Sequence, residues 1–179
     1  MKHMSITAAT LATLLHGCAV VGPLTTIELV KATGAVASAA IAQAPGPAAA
    51  DLVHHGDAPI ASVCIEYNPH AQLSDLVPAL HAALRDVGVS SRTFEPGAGA
   101  DQCRYWLRYA ASIQWGVPPF SGEYRAYLSA ATFGLHRADG SLMASATYDV
   151  DRGPGLAKWS STRRKVDPVV KALITGFTS

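Results

Sequence analysis

Hydrophobic and polar positions change texture near residue 60 of the chain. Beyond that point the patterns are regular. Ala61 to Tyr67 alternates as a half-buried strand does and is closed by the turn pair Asn68-Pro69. Leu73, Leu76, Val77, Leu80, Leu84 and Val87 then recur at three- and four-residue steps, which gathers them on one face of a helix. Ser74 is placed to cap that helix, Asp75 to complement its positive end, and Gly88 to stop it; Pro78 falls early enough to be tolerated. Val89 to Phe94 reads as a second strand, so the three elements predict a strand–helix–strand unit with parallel strands.

Three longer alternating segments follow. A strand from Cys103 to about Trp115 carries Tyr105, Leu107, Tyr109, Ala111, Ile113 and Trp115 on one face. Strands from Tyr124 to His136 and from Leu142 to Tyr148 are joined through Asp139-Gly140, a strong hairpin signal. A final helix has the stripe Val166, Val169, Val170, Leu173, Ile174 and Phe177, with a kink or fresh start expected at Asp167-Pro168. The order β-α-β-β-β-β-α over residues 60–179 predicts an α+β fold, a mixed sheet of about five strands with two helices on one face.

The first 59 residues read differently. Lys2 precedes an apolar run from Ile6 to Leu15, a weakly basic start and a short core of the kind that directs export. The run is too short to stay as a membrane-spanning helix. Residues 18–59 are rich in Ala, Gly, Val and Thr and read as a tether; residues 25–42 allow one marginal helix with Gly34, Ser38 and Ala42 along one side. Ala44-Pro45-Gly46-Pro47 stops it.

Leu15-His16-Gly17-Cys18, at the end of the apolar run, resembles the lipobox of bacterial lipoproteins, although His16 stands where a small residue is usual. The resemblance implies a signal peptide of residues 1–17, lipidation of Cys18, and anchoring by acyl chains. Ala19 rather than Asp after the cysteine implies, by likeness to enterobacterial sorting, the outer membrane, with the domain facing the periplasm. A plain cleaved signal, or an N-terminal core helix ending in cysteine, are the alternatives.

Charge narrows the function classes. The chain has 14 Lys+Arg and 13 Asp+Glu, and loss of Lys2 with the leader leaves 13 of each. That balance excludes a general nucleic-acid binder, which needs a basic face to displace counterions. Apolar content of 49% excludes intrinsic disorder. In an oxidising periplasm Cys64 and Cys103 are expected to pair; two buried thiols are the alternative.

Catalytic signatures are missing. There is no Gly-x-Ser-x-Gly elbow, and in the run Ser160 to Lys165 the near-match to Ser-x-x-Lys places Arg164 opposite Ser161. Glu95 to Ala100 looks like a glycine loop but lacks Gly-Lys-Ser/Thr and precedes a strand. Asp149-x-Asp151-x-Gly153 opens like a calcium loop without the downstream glutamate. His54-His55 lies in the tether, His81 beside an apolar helix face, and His136 near a turn, so no metal site and no cofactor are expected.

Recognition chemistry is easier to place. The loop from Gln114 to Glu123 displays Trp115 and Phe120 among turn formers, either as anchors for a partner or as a minor core over the sheet edge. Trp159, with Lys158, Arg163, Arg164 and Lys165, offers an anionic lipid or glycan a second contact, unless it is a solvated helix face. The runs Cys64-Ile65-Glu66-Tyr67-Asn68-Pro69, Leu76-Val77-Pro78-Ala79-Leu80, Tyr127-Leu128-Ser129-Ala130-Ala131 and Lys158-Trp159-Ser160-Ser161-Thr162 resemble a poorly characterised group of small proteobacterial lipoproteins. The element order is more loosely similar to auxiliary lipoproteins of transport systems and of lipopolysaccharide assembly. These resemblances imply a non-catalytic binding or assembly module of the envelope, contacting a protein, lipid or glycan partner. A peptidoglycan- or division-associated factor is the alternative, and an enzyme is the least expected.

Overall fold

In the computed structural model, which describes residues 34–56, 59–99, 102–153, 155 and 157–177, the alternating segments become six strands. A helical stretch, α1, occupies residues 34–42, and among the described residues no helix is long and apolar enough to cross a membrane. There follow β1 (Ala50–His54), β2 (Ser62–Glu66), α2 (Leu76–Asp86), β3 (Ser90–Phe94), β4 (Tyr105–Gly116), β5 (Arg125–Arg137), β6 (Leu142–Asp149) and α3 (Thr162–Thr175). The leader, Cys18 and the first part of the 25–42 helix lie outside the described residues.

The strands form one mixed sheet in the order β1-β6-β5-β4-β2-β3. β2 pairs in parallel with β3, Ser62 opposite Ser90 through Glu66 opposite Phe94, as the strand–helix–strand unit requires. β2 also pairs in parallel with β4, but only at Cys64–Trp106 and Ile65–Leu107. β4, β5 and β6 form an antiparallel meander. At its second turn Gly140 takes a φ of 85°, which Asp139-Gly140 supplies at little steric cost.

Both helices cover the same face, as expected. Leu76, Leu80 and Leu84 of α2 meet Val166, Val169, Val170 and Leu173 of α3 over Val63, Ile65, Leu107, Phe133 and Leu135 of the sheet. On the opposite face, at the β2–β3–β4 side, the Cys64–Cys103 disulfide packs with Trp106, and Phe94 leans on it at 5.8 Å between rings. Alternation makes this second cluster possible, since neighbours such as Ile65 and Cys64, or Leu107 and Trp106, point to opposite faces.

Two elements depart from the sequence reading. β1 is a sixth strand, inside the segment read as tether, and pairs antiparallel with the free edge of β6. Asp51 holds its bulged middle at φ 50°; its carboxylate accepts from Thr147 Oγ1 at 2.8 Å and meets Arg152 at 3.3 Å, and these partners hold its carboxyl below the usual range. α3, in turn, runs on through Asp167-Pro168 without a fresh start. Pro168 lies inside it, and Ser161 Oγ caps it by accepting from the Arg164 amide. The bond that proline forfeits belongs to the Arg164 carbonyl, in the first turn, while the apolar stripe runs unbroken on both sides and holds the helix together.

Residues 42–47 are strapped across this first turn. The Ala42 carbonyl accepts from the Ser161 amide, Gln43 accepts from Arg164 at 3.0 Å, and a Cβ at Gly46 would lie 2.4 Å from the Arg164 carbonyl oxygen. Gly46→Ala is therefore expected to lift the strap and cost about 1–3 kcal/mol, the usual range for overpacking against atoms that cannot swing aside. Urea unfolding checks it, and an unchanged midpoint would show that residues 42–47 are not seated on α3.

Candidate functional site

β4 and β5 outrun their neighbours. They pair with each other from Tyr105–Arg137 to Gly116–Arg125, whereas β6 accompanies β5 only over residues 130–136 and β2 touches β4 only near its start. The remainder, residues 112–116 and 125–129, projects as a two-stranded arm. Ser129 is the extra residue of a bulge at its root, and its hydroxyl donates to the Ser112 carbonyl at 3.0 Å. The bulge resets the alternation of β5, so Leu128 turns into the core opposite Ile113.

At the tip, the Ser121 amide donates to the Pro118 carbonyl, and Phe120 takes a φ of 62°, a conformation that bulky residues rarely adopt. Trp115 is 69% exposed, Phe120 76% and Tyr124 75%. Of the two readings of this loop, the minor core does not form: both anchors stand in solvent. The Phe120 backbone rests near Gly34 of α1, and a 330 Å³ cavity lined by Ser38, Ile41, Pro118, Pro119, Tyr124 and Trp159 separates α1 from the loop.

Trp159 has a different part. It is half-buried, edge-on to Tyr127 at 5.1 Å, and lies so close to Gly116 that a side chain there would stand 3.1 Å from the ring. It braces the arm rather than extending the exposed patch. The basic run beside it does not form one solvated face. Arg163 is engaged by Asp86 and Asp167, Arg164 reaches Gln43, and only 1% of Lys165 is exposed. Lys165 Nζ donates to the Leu128 carbonyl at 2.9 Å and the Lys158 carbonyl at 2.8 Å, stapling the 157–159 turn to β5. Burial pushes its ammonium down to about 8.

Several members of this cluster were missed at the level of sequence: Tyr127, Arg125, Asp75 and Tyr124. Tyr127 Oη donates to Gln114 at 2.7 Å across the arm, while the Lys158 and Lys165 ammonium groups lie 5.4 and 5.3 Å from its ring. Helical phase would have found Lys165, which shares a stripe with Thr162, Val166 and Val169. Elsewhere His81 sits half-buried between Ser91 Oγ (2.6 Å) and Thr93 Oγ1 (2.8 Å), and desolvation lowers its pKa. Among the described residues no group of three His, Cys, Asp or Glu side chains is placed to hold a metal ion.

The chain matches no protein-family model and no curated protein. Among solved structures it is similar to the PelC dodecamer from Paraburkholderia phytofirmans, with 18% identity and a TM-score of 0.44, over 65% of this chain and 95% of that one. A singly substituted PelC dodecamer from the same organism gives 18% identity and a TM-score of 0.42, over 66% and 96%.

Proposed function

We propose that the chain is an outer-membrane-anchored, periplasm-facing lipoprotein serving as a non-catalytic binding or assembly module of the cell envelope. The lipobox-like Leu15-His16-Gly17-Cys18 after a short apolar run supports the anchor, and the disulfide suits an oxidising compartment. The observation that carries the binding role is the arm tip. Three aromatic side chains stand in solvent there, one held at positive φ. Strained backbone that presents a large apolar ring outward does nothing for the fold, and such rings are the usual anchors of protein interfaces.

The test uses the full chain in detergent-solubilised envelopes. A defined envelope protein is expected to co-purify with it, and the double variant Trp115→Ala/Phe120→Ala to lose that partner at least tenfold. Its melting temperature should stay unchanged, because neither ring is in the core. Unchanged co-purification would sink the tip assignment. Sedimentation of the chain with purified sacculi would favour the peptidoglycan-associated alternative instead, and a mature mass without acyl groups at Cys18 would remove the anchor.

A further inference from the structure

Beside the arm a 260 Å³ cavity is walled by Tyr127 and Trp159 and lined also by Asp75, Arg125, Lys158 and Lys165. Its charge is lopsided: three cations face one carboxylate. Lys165 is the informative member, because a buried ammonium is ordinarily paired and this one forms no ion pair among the described residues. Its two carbonyl acceptors leave the protonated amine one N–H over. Ser160, also lining the cavity and 6% exposed, has a buried hydroxyl with no hydrogen-bond partner among the described residues. Two adjoining buried polar groups, one charged and one unpartnered, therefore border a cavity that three cations make attractive to an anion.

The rest of the lining fixes what the anion is attached to. Tyr127 and Trp159 supply aromatic wall, Ser74, Ser161 and Thr162 supply hydroxyls, and 260 Å³ is the space of one sugar ring rather than of a lipid chain. We infer that this cavity is a binding site for an acidic pyranose, a sugar ring bearing a carboxylate or phosphate, with Arg125, Lys158 and Lys165 on the acidic group and the aromatic pair on the ring. This assignment is independent of the protein-docking role of the arm tip and of the lipid anchor.

Titration of the purified chain, followed by the fluorescence of Trp159 against a Trp159→Phe control, decides it. D-glucuronate and glucose 6-phosphate are expected to bind saturably and at least tenfold more tightly than D-glucose, with affinity falling above about pH 8 as Lys165 loses its proton. The other groups facing Lys165 are Asp75, Arg125, Lys158 and the Tyr127 and Tyr148 rings; the two carbonyls it bonds do not titrate. Arg125→Ala alters an exposed side chain and leaves the fold intact, and should weaken the acidic probes fivefold or more without touching glucose. Trp115→Ala/Phe120→Ala should bind them unchanged. Absence of saturable binding by both acidic sugars, or equal binding of glucose, would overturn the assignment. Inorganic phosphate binding as tightly as glucose 6-phosphate would overturn its sugar part, leaving an anion site with no contact to the ring.

Discussion

Reducing the Cys64–Cys103 bridge is expected to lower the unfolding free energy by about 4 kcal/mol, a large share of the 5–15 kcal/mol typical of a domain. The two cysteines are 39 residues apart, and the loop they close contains all of α2 and β3. Without the bridge, the unfolded chain regains the freedom of that loop. The folded chain also loses a partner for Trp106 and Phe94, which have little else to pack against on their side of the sheet. The bridge matters more because β2 and β4 share only two residue pairs, so little backbone pairing fixes their register. Urea unfolding with and without a phosphine reductant measures the effect, and Cys64→Ala/Cys103→Ala should reproduce it. A loss below about 1 kcal/mol would mean that core packing alone aligns the two strands.

Lys165→Met is expected to cost about 2–4 kcal/mol at pH 7, since one buried and one part-buried carbonyl then lose their donor, less the relief of no longer burying a charge. The native chain should also carry a pH signature that the variant lacks. Folding lowers the Lys165 pKa from 10.5 to about 8, so between those values the unfolded state binds more protons and stability rises with pH. Below about 8 both states are protonated and the penalty is in full force. Burial strips water from the ammonium, which is why folding favours the neutral amine, and that form still has two N–H groups for the two carbonyls. A gain of about 2 kcal/mol is expected from pH 7 to 9.5. The range stops there because Tyr109 and Tyr148, whose hydroxyls burial pushes upward, act in the opposite direction once tyrosines of the unfolded chain ionise. Urea midpoints at pH 7, 8.5 and 9.5 test it; a flat native profile, or the same rise in Lys165→Met, would show that another group is responsible.

Much of the fold was legible because its signals are local. The α2 stripe, the Asp139-Gly140 hairpin and the order of β2 to β6 each rest on residues within a turn or a strand of one another. β1 was not legible, because Ala50–His54 has weak strand preference and becomes a strand only by completing the open edge of β6, nearly a hundred residues away. The Ser129 bulge was hidden for another reason. A one-residue slip leaves alternation intact on both sides and only exchanges the faces, which is how Leu128 joins Ala131, Phe133 and Leu135 in the core. At the candidate site, Trp115 and Phe120 stood out as aromatics among prolines. The cavity did not, since Asp75, Tyr127 and Lys165 come from three separate elements. Lys165 was further disguised by its company, reading as one more charge in a basic run although helical phase puts it with the valines.

The strap and edge strand form the N-terminal margin of the described domain. Residues 34–54 are held by contacts at Ala42 and Gln43, by the fit of Gly46, by the three register pairs of β1, by the Asp51 bonds to Thr147 and Arg152, and by Ala49 and Leu52 against the core. Tension on the N-terminal side meets them one after another, like stitches in a seam, before it reaches β6. Drawn out fully, residues 34–54 span up to about 70 Å at the reach of an extended chain.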